Sequence, residues 1–474
     1  MGWSVEIYEG RPDMRLPSSR AAAQQRSINL AISARGIAAI EAIEPSAADR
    51  FLKAVIPMRG RMIHHVDGNQ ESQLYDKDGQ CINSIGRAFM NEDLLTEALA
   101  LPNVRVFFKH RVASIDFDAR IMAIRDMIAE KDVEVPFDFC VGADGSYSIV
   151  RRQLMRVVRM DYQQEYIPHD YLELKMPAGP AADIGGDPTY LLDPNHLHIW
   201  PRHTFMLIAL PNKDKTFTCT LFAPTAEFDR LNSREVIIEW FRIHFPDALP
   251  LIGEQALLED FRRNPRSSLI CRYCCFQKTK PYHYKDRAII IGDAAHAMVP
   301  FYGQGLNCGL EDVRILDILL RREGVNPAVP ILEDDACLAR ALATYSESRH
   351  DDLVSICELA MDNYVEMRHS VVTPAYLFRK TLDNFLYSLT AKSVTVKSLI
   401  PALSQKPFLS NISGWLPLYT MVTFRPDISY SNARRKAAKQ RQILEYAGWA
   451  SFGVGVGTAG IIGISVLRRW YNRG

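Results

Sequence analysis

The stretch IIIGDAAHAMVPFYGQGLNCGLED (residues 289–312) decides the fold class. Its three isoleucines are an apolar run of the kind buried in a parallel sheet, and they lead straight into Gly292-Asp293. Small residues follow, then Pro300, Gly303 and Gly305, then a stretch that opens a helix at Leu306 and Asn307. A carboxylate such as Asp293 at a strand end can accept from sugar-like hydroxyls. Glycines let backbone approach a planar or charged ligand closely. The free N–H groups of a first helical turn suit anionic oxygen. The pattern predicts an α/β unit built for a large phosphate-bearing cofactor. His296 lies in the same cramped turn and is read as structural rather than as a base.

Two further stretches fit the same unit. VGADGSYSIVR (141–151) brings a strand to Asp144-Gly145 and then to a helix start, where backbone N–H groups face anions. A plain strand–turn–helix has the same look. SVEIYEGRP (4–12) is a short strand ending in Glu9; an acidic residue there commonly hydrogen-bonds an adenosine ribose, although many strands simply end in a surface glutamate.

Between these motifs the chain changes character. RSINLAISARGIAAIEAI (26–43) turns into a helix after Ser33, and MNEDLLTEALALP (90–102) reads as an amphipathic helix with Asn91 as its cap. RMIHHVDG and ESQLYDKDG form a hairpin within residues 56–82. VRVFFKHRVASIDFD and EVPFDFCVGADGS read as strands, and strands dominate from about Gln163 to Arg272. Past Leu319 the pattern is helical. The expected class is α/β. A Rossmann-like cofactor domain (1–157 and 285–330) carries an inserted antiparallel β-sheet domain (158–284), and a helical region (331–440) follows.

Composition narrows the function. The chain has 474 residues, 47% of them hydrophobic and 23% charged, enough for a sizeable core in two or three units. Lys+Arg is 56 against Asp+Glu 55, a net +1, so no overall field draws nucleic acid or acidic partners. Nine scattered cysteines, with no secretory signal read at the start, point to reduced thiols. CRYCC (Cys271, Cys274, Cys275) alternates like a strand and lacks a partner pair at zinc spacing, so no metal site is expected. Near the end, Tyr446–Leu467 is 22 residues without a charge, about 33 Å of helix and enough to cross a hydrocarbon core. Basic residues flank it, and Trp449, Trp470 and Tyr471 sit near its ends as interfacial anchors would. A transmembrane anchor is expected there.

Glu9, GADGSYSIVR and IGDAAHAMVPFYGQGLN together resemble the FAD-dependent aromatic hydroxylases, the single-component flavin monooxygenases. YEGRP, RSINLA, PMRGRMIH, DYQQEYIPHDYLELKMP, HIWPRHTFMLIALPN, DNYVEMR and PLYTMVTF extend the likeness from residue 7 to residue 424. The resemblance implies NADPH- and O₂-dependent 3-hydroxylation of L-kynurenine through a flavin C4a-hydroperoxide, in tryptophan degradation. It implies that Tyr8, Glu9, Arg11, Ala31, Arg87, Val112, Asp144, Asp293, Gly303, Gly305, Leu306 and Asn307 serve FAD. It implies that Arg61, Tyr75, Asn363 and Tyr419 serve the substrate, with no protein nucleophile. A guanidinium suits the substrate's carboxylate, and a tyrosine hydroxyl can add to it. Read without the family, Arg61 could face solvent, and Asn363 and Tyr419 could be ordinary helix and loop residues. The resemblance also implies a place in the mitochondrial outer membrane, with the body facing the cytosol.

The amino terminus departs from the family pattern. The family opens with a strand, G-x-G-x-x-G and a helix, roughly 25–30 residues, before the strand that ends in Glu9. The expectation is a cofactor domain incomplete at this end, from a truncated start or a short form. MRLPSSRAAAQQ (14–25) reads as a lengthened surface loop. Two alternatives stay open: a related hydroxylase acting on another aromatic acid, and a non-catalytic membrane-tethered form.

Overall fold

The computed structural model describes residues 2–19, 29–181, 186–274, 281–327, 334–390 and 414–446. Its centre is a seven-stranded sheet. In spatial order the strands are Ser267–Cys274, Tyr162–Met176, Phe217–Pro224, Phe205–Pro211, His196–Arg202, Gly60–His64 and Gln70–Leu74. Every neighbouring pair is antiparallel except His196–Arg202 with Gly60–His64. That parallel pair arises because the hairpin of residues 60–74 comes from the first part of the chain and closes onto the edge of the later sheet.

Period-two alternation gives the sheet two apolar faces. Trp200, Leu207 and Leu221 point into one cluster with Phe228, Phe241 and Phe245. Ile199, Met206 and Phe222 point into the other, with Phe301 and Tyr364. The first face is covered by helices Thr225–Arg230, Arg234–His244, Ala248–Ile252 and Glu254–Arg263. The strand-rich reading of residues 163–272 did not anticipate these four. The second face meets the long helix Ala336–Arg368.

The nucleotide-type strands are split. Among the described residues Val5–Glu9 pairs in parallel with Val104–Phe108 alone, and Cys140–Gly142 pairs in parallel with Ala288–Ile290 in a separate sheet. Leu30–Ile32, Ile82–Ile85 and Ile56–Met58 form a third small sheet. His110–Asp116, Ile121–Asp126 and Lys131–Pro136 make an antiparallel meander, of which the middle strand was not read from sequence. Asn91 is not a cap: its helix is Arg87–Ala100, capped at Gly86. The strand before it ends at Ile85, and Met90 is buried against Phe51 in the same small cluster, so packing extends the helix beyond its polar start signal.

Cys271 and Cys274 lie in the strand Ser267–Cys274, while Cys275 lies outside the described residues. So do the second half of the MRLPSSRAAAQQ loop and all of the expected anchor beyond Tyr446. Among the described residues no helix is long and apolar enough to cross a membrane.

Candidate active site

The Gly-Asp stretch forms a ridge. Asp293 opens the short helix Asp293–His296, exposed and without a hydrogen-bond partner among the described residues. Gly303 has φ +64°, and an added Cβ would come within 3.3 Å of Ala31, so a side chain here is strained twice over. Gly305 begins an 18-residue helix, Gly305–Arg322, with no side-chain cap. Its first-turn N–H groups are therefore left for something else. Asn307 locks the ridge to the neighbouring sheet. Its Oδ1 accepts from Ser33 N at 2.8 Å, and its Nδ2 donates to Ala31 O at 2.9 Å and to Gly303 O at 2.7 Å. Leu306 packs beside it against the Ile32 and Phe51 cluster. An uncapped helix start, a left-handed glycine and a free carboxylate form a donor and acceptor set that fits the sugar chain and planar ring of FAD.

Behind the ridge lies a buried ion network. His296 Nε2 is 2.5 Å from Asp312 Oδ2, and Asp312 also accepts from Gly292 N at 3.0 Å and Arg349 Nε at 2.9 Å. Glu311 pairs with Arg35 at 2.5 Å, Arg349 at 2.8 Å and Arg314 at 3.2 Å. Burial pushes the Glu311 carboxyl up, but the three guanidinium groups outweigh it and hold the pKa at about 2. His296 is thus a bracing residue, as its cramped position suggests. His296, Cys308 and Asp312 converge closely enough for a cation, but Arg349 already donates to Asp312 there.

The other cofactor candidates fall in two places. Asp144 accepts from Ile149 N at 2.6 Å, Val150 N at 3.1 Å and the Ser148 hydroxyl, so its carboxylate caps the helix Ile149–Val157. Arg151 is buried beneath it and donates to Ala294 O at 2.6 Å and Ser146 O at 2.7 Å, which joins the Asp144-Gly145 turn to the Asp293 helix. Farther along the Val5–Glu9 strand, Glu9 accepts from Arg11 N at 2.8 Å and from its guanidinium at 3.0 and 3.1 Å. Burial raises the Glu9 carboxyl, but Arg11 holds it below the ordinary range. Tyr8 stacks on Phe107 at 5.0 Å and donates to Glu6. Val112 is half-buried in the adjacent strand, and Arg87 is exposed at the start of its helix. Among the described residues no hydrogen bond or ion pair ties the Tyr8–Arg11 group to the Gly303 ridge.

The substrate candidates converge. Arg61, on the hairpin strand, is 4% exposed. Its Nη1 donates to Glu366 at 2.8 Å and its Nη2 to Asn363 Oδ1 at 3.4 Å, while its Nε is buried without a partner of hydrogen-bond geometry. Tyr75 and Tyr419 stack at 5.0 Å with rings 9° apart, and Arg61 lies 5.3 Å from the Tyr419 centroid. Tyr419 sits in a helix, Leu418–Phe424, rather than in a loop. Burial pushes its hydroxyl up to about 12. Asn363 Nδ2 donates to Phe301 O at 2.7 Å, and Tyr302 stacks on Tyr419 at 5.6 Å. Residues 301–302 therefore line this pocket, and residues 303–307 form the ridge. One loop joins the two halves of the site.

Four further residues complete the pocket: Glu366, Tyr302, Tyr376 and Lys380. Tyr376 Oη donates to Glu366 at 3.1 Å. Burial, then the nearby Arg61, lowers the Lys380 pKa to about 8. Glu366 could have been found from its three-residue spacing to Asn363, which puts both on one helix face. Tyr376 and Lys380 carried no such signal.

The chain is similar to known proteins in both sequence and fold. A family described as an FAD binding domain matches residues 274–324. The kynurenine 3-monooxygenase of Cryptococcus neoformans (strain B-3501A) is 45% identical, with 100% of this chain and 94% of that protein covered. Those of Candida albicans and Saccharomyces cerevisiae are 43% and 41% identical, covering 100% and 94% of this chain and 93% and 89% of theirs. Among solved structures, 2-methyl-3-hydroxypyridine-5-carboxylic acid oxygenase matches with TM-score 0.55 at 18% identity, over 79% of this chain and 89% of that one. Pseudomonas aeruginosa PqsL, solved with 2-aminobenzoylacetate, matches with TM-score 0.55 at 17% identity, over 77% and 90%. With the matched FAD-binding segment, these two likenesses give an FAD-binding monooxygenase fold.

Proposed function

We infer the function from the family: this chain belongs to the kynurenine 3-monooxygenases. It is an FAD-dependent monooxygenase, and its reaction is the 3-hydroxylation of L-kynurenine with NADPH and O₂. FAD, when bound, supplies the redox chemistry that protein side chains lack.

The rest falls to the residues of the chain. Kynurenine offers an α-carboxylate, an α-ammonium, a ketone and an aryl amine. Arg61 grips the carboxylate through its unpaired Nε and adjacent Nη, and the Tyr75 hydroxyl adds a third bond. Glu366, freed from Arg61, takes the ammonium. The aromatic ring lies along the tyrosine stack toward the loop at Gly303. Asp293, Gly305, Leu306 and Asn307 hold the cofactor beside it. Burial of Arg61, Tyr75 and Tyr302 keeps water from the reacting atoms, and the aryl amine activates the ring carbon ortho to it. The protein's contribution is therefore orientation and dryness. The observation that carries this reading is a buried, incompletely bonded guanidinium, held one loop away from an uncapped helix start. Purified protein supplied with L-kynurenine, NADPH and FAD should yield the 3-hydroxy product by mass spectrometry. Substrate-independent NADPH oxidation with no hydroxylated product would overturn the reading.

Tyr446–Leu467 acts as a tail anchor, which places the enzyme on the mitochondrial outer membrane with its body in the cytosol. The uncharged span and its basic, aromatic flanks support the anchor; the choice of membrane and the cytosolic body rest on the family resemblance. Deleting residues from Tyr446 onward should release the protein to the soluble fraction. A tagged Tyr446–Gly474 tail that stays cytosolic would refute it.

A further inference from the structure

The helix Pro374–Thr390 is built inside out. None of its residues is buried. Its polar groups turn toward the protein: Tyr376 donates to Glu366, Asp383 accepts from Trp415 Nε1 at 2.9 Å, Tyr387 donates to Asp78 at 2.7 Å, and Lys380 sits near Arg61. Three large apolar groups turn outward, while Leu377, Leu382 and Leu386 stay half-buried. Phe378 is 72% exposed, Phe385 59% and Leu389 66%. At 100° per residue these three fall within one narrow stripe, joined by Pro374, Thr381 and Ser388. That outward face holds no charge. A surface helix facing water shows the reverse arrangement, and a contiguous apolar stripe of this kind marks an interaction surface.

Its position indicates what it meets. Trp415 N donates to Thr390 Oγ1 at 2.7 Å, Gln440 Nε2 donates to Leu416 O at 3.0 Å, and Lys436 donates to Gly414 O at 2.6 Å. The segment 414–416 thus straps the end of this helix to the helix of residues 430–446, from which the uncharged span departs. On that departing helix Ile443 and Tyr446 are exposed, and so are Arg435, Lys439 and Arg441. Apolar side chains rimmed by cations suit a bilayer surface with anionic headgroups.

We propose that the Phe378–Phe385–Leu389 face is a membrane-docking surface that lies flat in the lipid interface beside the tail. The proposal rests on the tail-anchor reading and goes beyond it. The helix then has two working faces, one in lipid and the other forming a wall of the substrate pocket through Tyr376 and Lys380.

The test uses the full chain with FAD, carrying p-benzoylphenylalanine in place of Phe378, Phe385 or Leu389, or in place of Tyr166, an exposed residue of the central sheet, as control. Each protein is mixed with vesicles of phosphatidylcholine and phosphatidylinositol, floated, irradiated and mapped by mass spectrometry. The expected result is lipid adducts at all three positions and none at Tyr166. Flotation with adducts only to residues 391–413 or to a second copy would overturn the docking face while leaving the anchor intact. Equal lipid labelling at Tyr166 would also overturn it. Failure to float would overturn both readings.

Discussion

Replacing Arg61 by Ala tests the substrate pocket most directly. The guanidinium is 4% exposed, its Nε is unspent, and its partner Glu366 has a side chain that is 34% exposed. A charge-assisted hydrogen bond contributes about 1.5–3 kcal/mol, which corresponds to roughly a 10–150-fold rise in the Kd for L-kynurenine. Truncation also breaks the pair with Glu366. A fully buried partner left alone would cost ~3–5 kcal/mol, but Glu366 can take up water and keeps the Tyr376 hydroxyl. The fold should therefore hold. Arg61→Lys keeps the charge and loses the fork, so it should fall between wild type and Ala. The assay is titration of the flavin absorbance with L-kynurenine under anaerobic conditions, with FAD content measured separately. A Kd within twofold of wild type in a flavin-loaded Arg61→Ala protein would remove Arg61 from the site. Loss of FAD in the same protein would show that Arg61 braces the cofactor half instead.

Glu366→Gln should raise KM for L-kynurenine more than for its deaminated analogue, since only the former presents an ammonium; equal changes for the two would refute that role. Lys380 is charged below its pKa of about 8 and neutral above it, so its pull on the substrate carboxylate fades as pH rises through that value. KM should climb there with kcat little changed, and Lys380→Met should flatten the climb; a profile identical in the variant would exclude Lys380. Arg35 is fully buried, pairs with Glu311 and donates to the carbonyls of Met421, Val422, Arg425 and Ile428. Arg35→Leu leaves those carbonyls and Glu311 short of a partner and should cost about 3–5 kcal/mol, visible as a marked drop in thermal midpoint; an unchanged midpoint would show that Arg349 and Arg314 suffice.

Local sequence determined the parts of this protein whose physics is local. The isoleucine run before Gly-Asp and the helix after the glycines need only neighbouring residues to declare themselves: the strand is Ala288–Ile290, and the helix expected at Leu306 opens one residue earlier, at Gly305. Period-two strands were legible for the same reason, because alternation encodes a face before any partner is known. The pocket was not local. Arg61 and Asn363 are 302 residues apart in sequence; the family resemblance named both, while nothing in either stretch alone required them to meet. Asp144 belongs to the Asp-Gly segment that the resemblance assigns to FAD, and the tertiary structure shows its carboxylate capping the helix that follows. Glu311 is held at its low pKa by Arg314 of its own helix together with Arg35 and Arg349, which only the tertiary fold brings to it. The inverted helix Pro374–Thr390 shows the limit most plainly. Its sequence marks an amphipathic helix, but which stripe turns inward depends on what the rest of the chain offers. Here the chain offers Glu366, Asp78 and Trp415, so Tyr376, Tyr387 and Asp383 went in and the stripe of Phe378, Phe385 and Leu389 was left facing out.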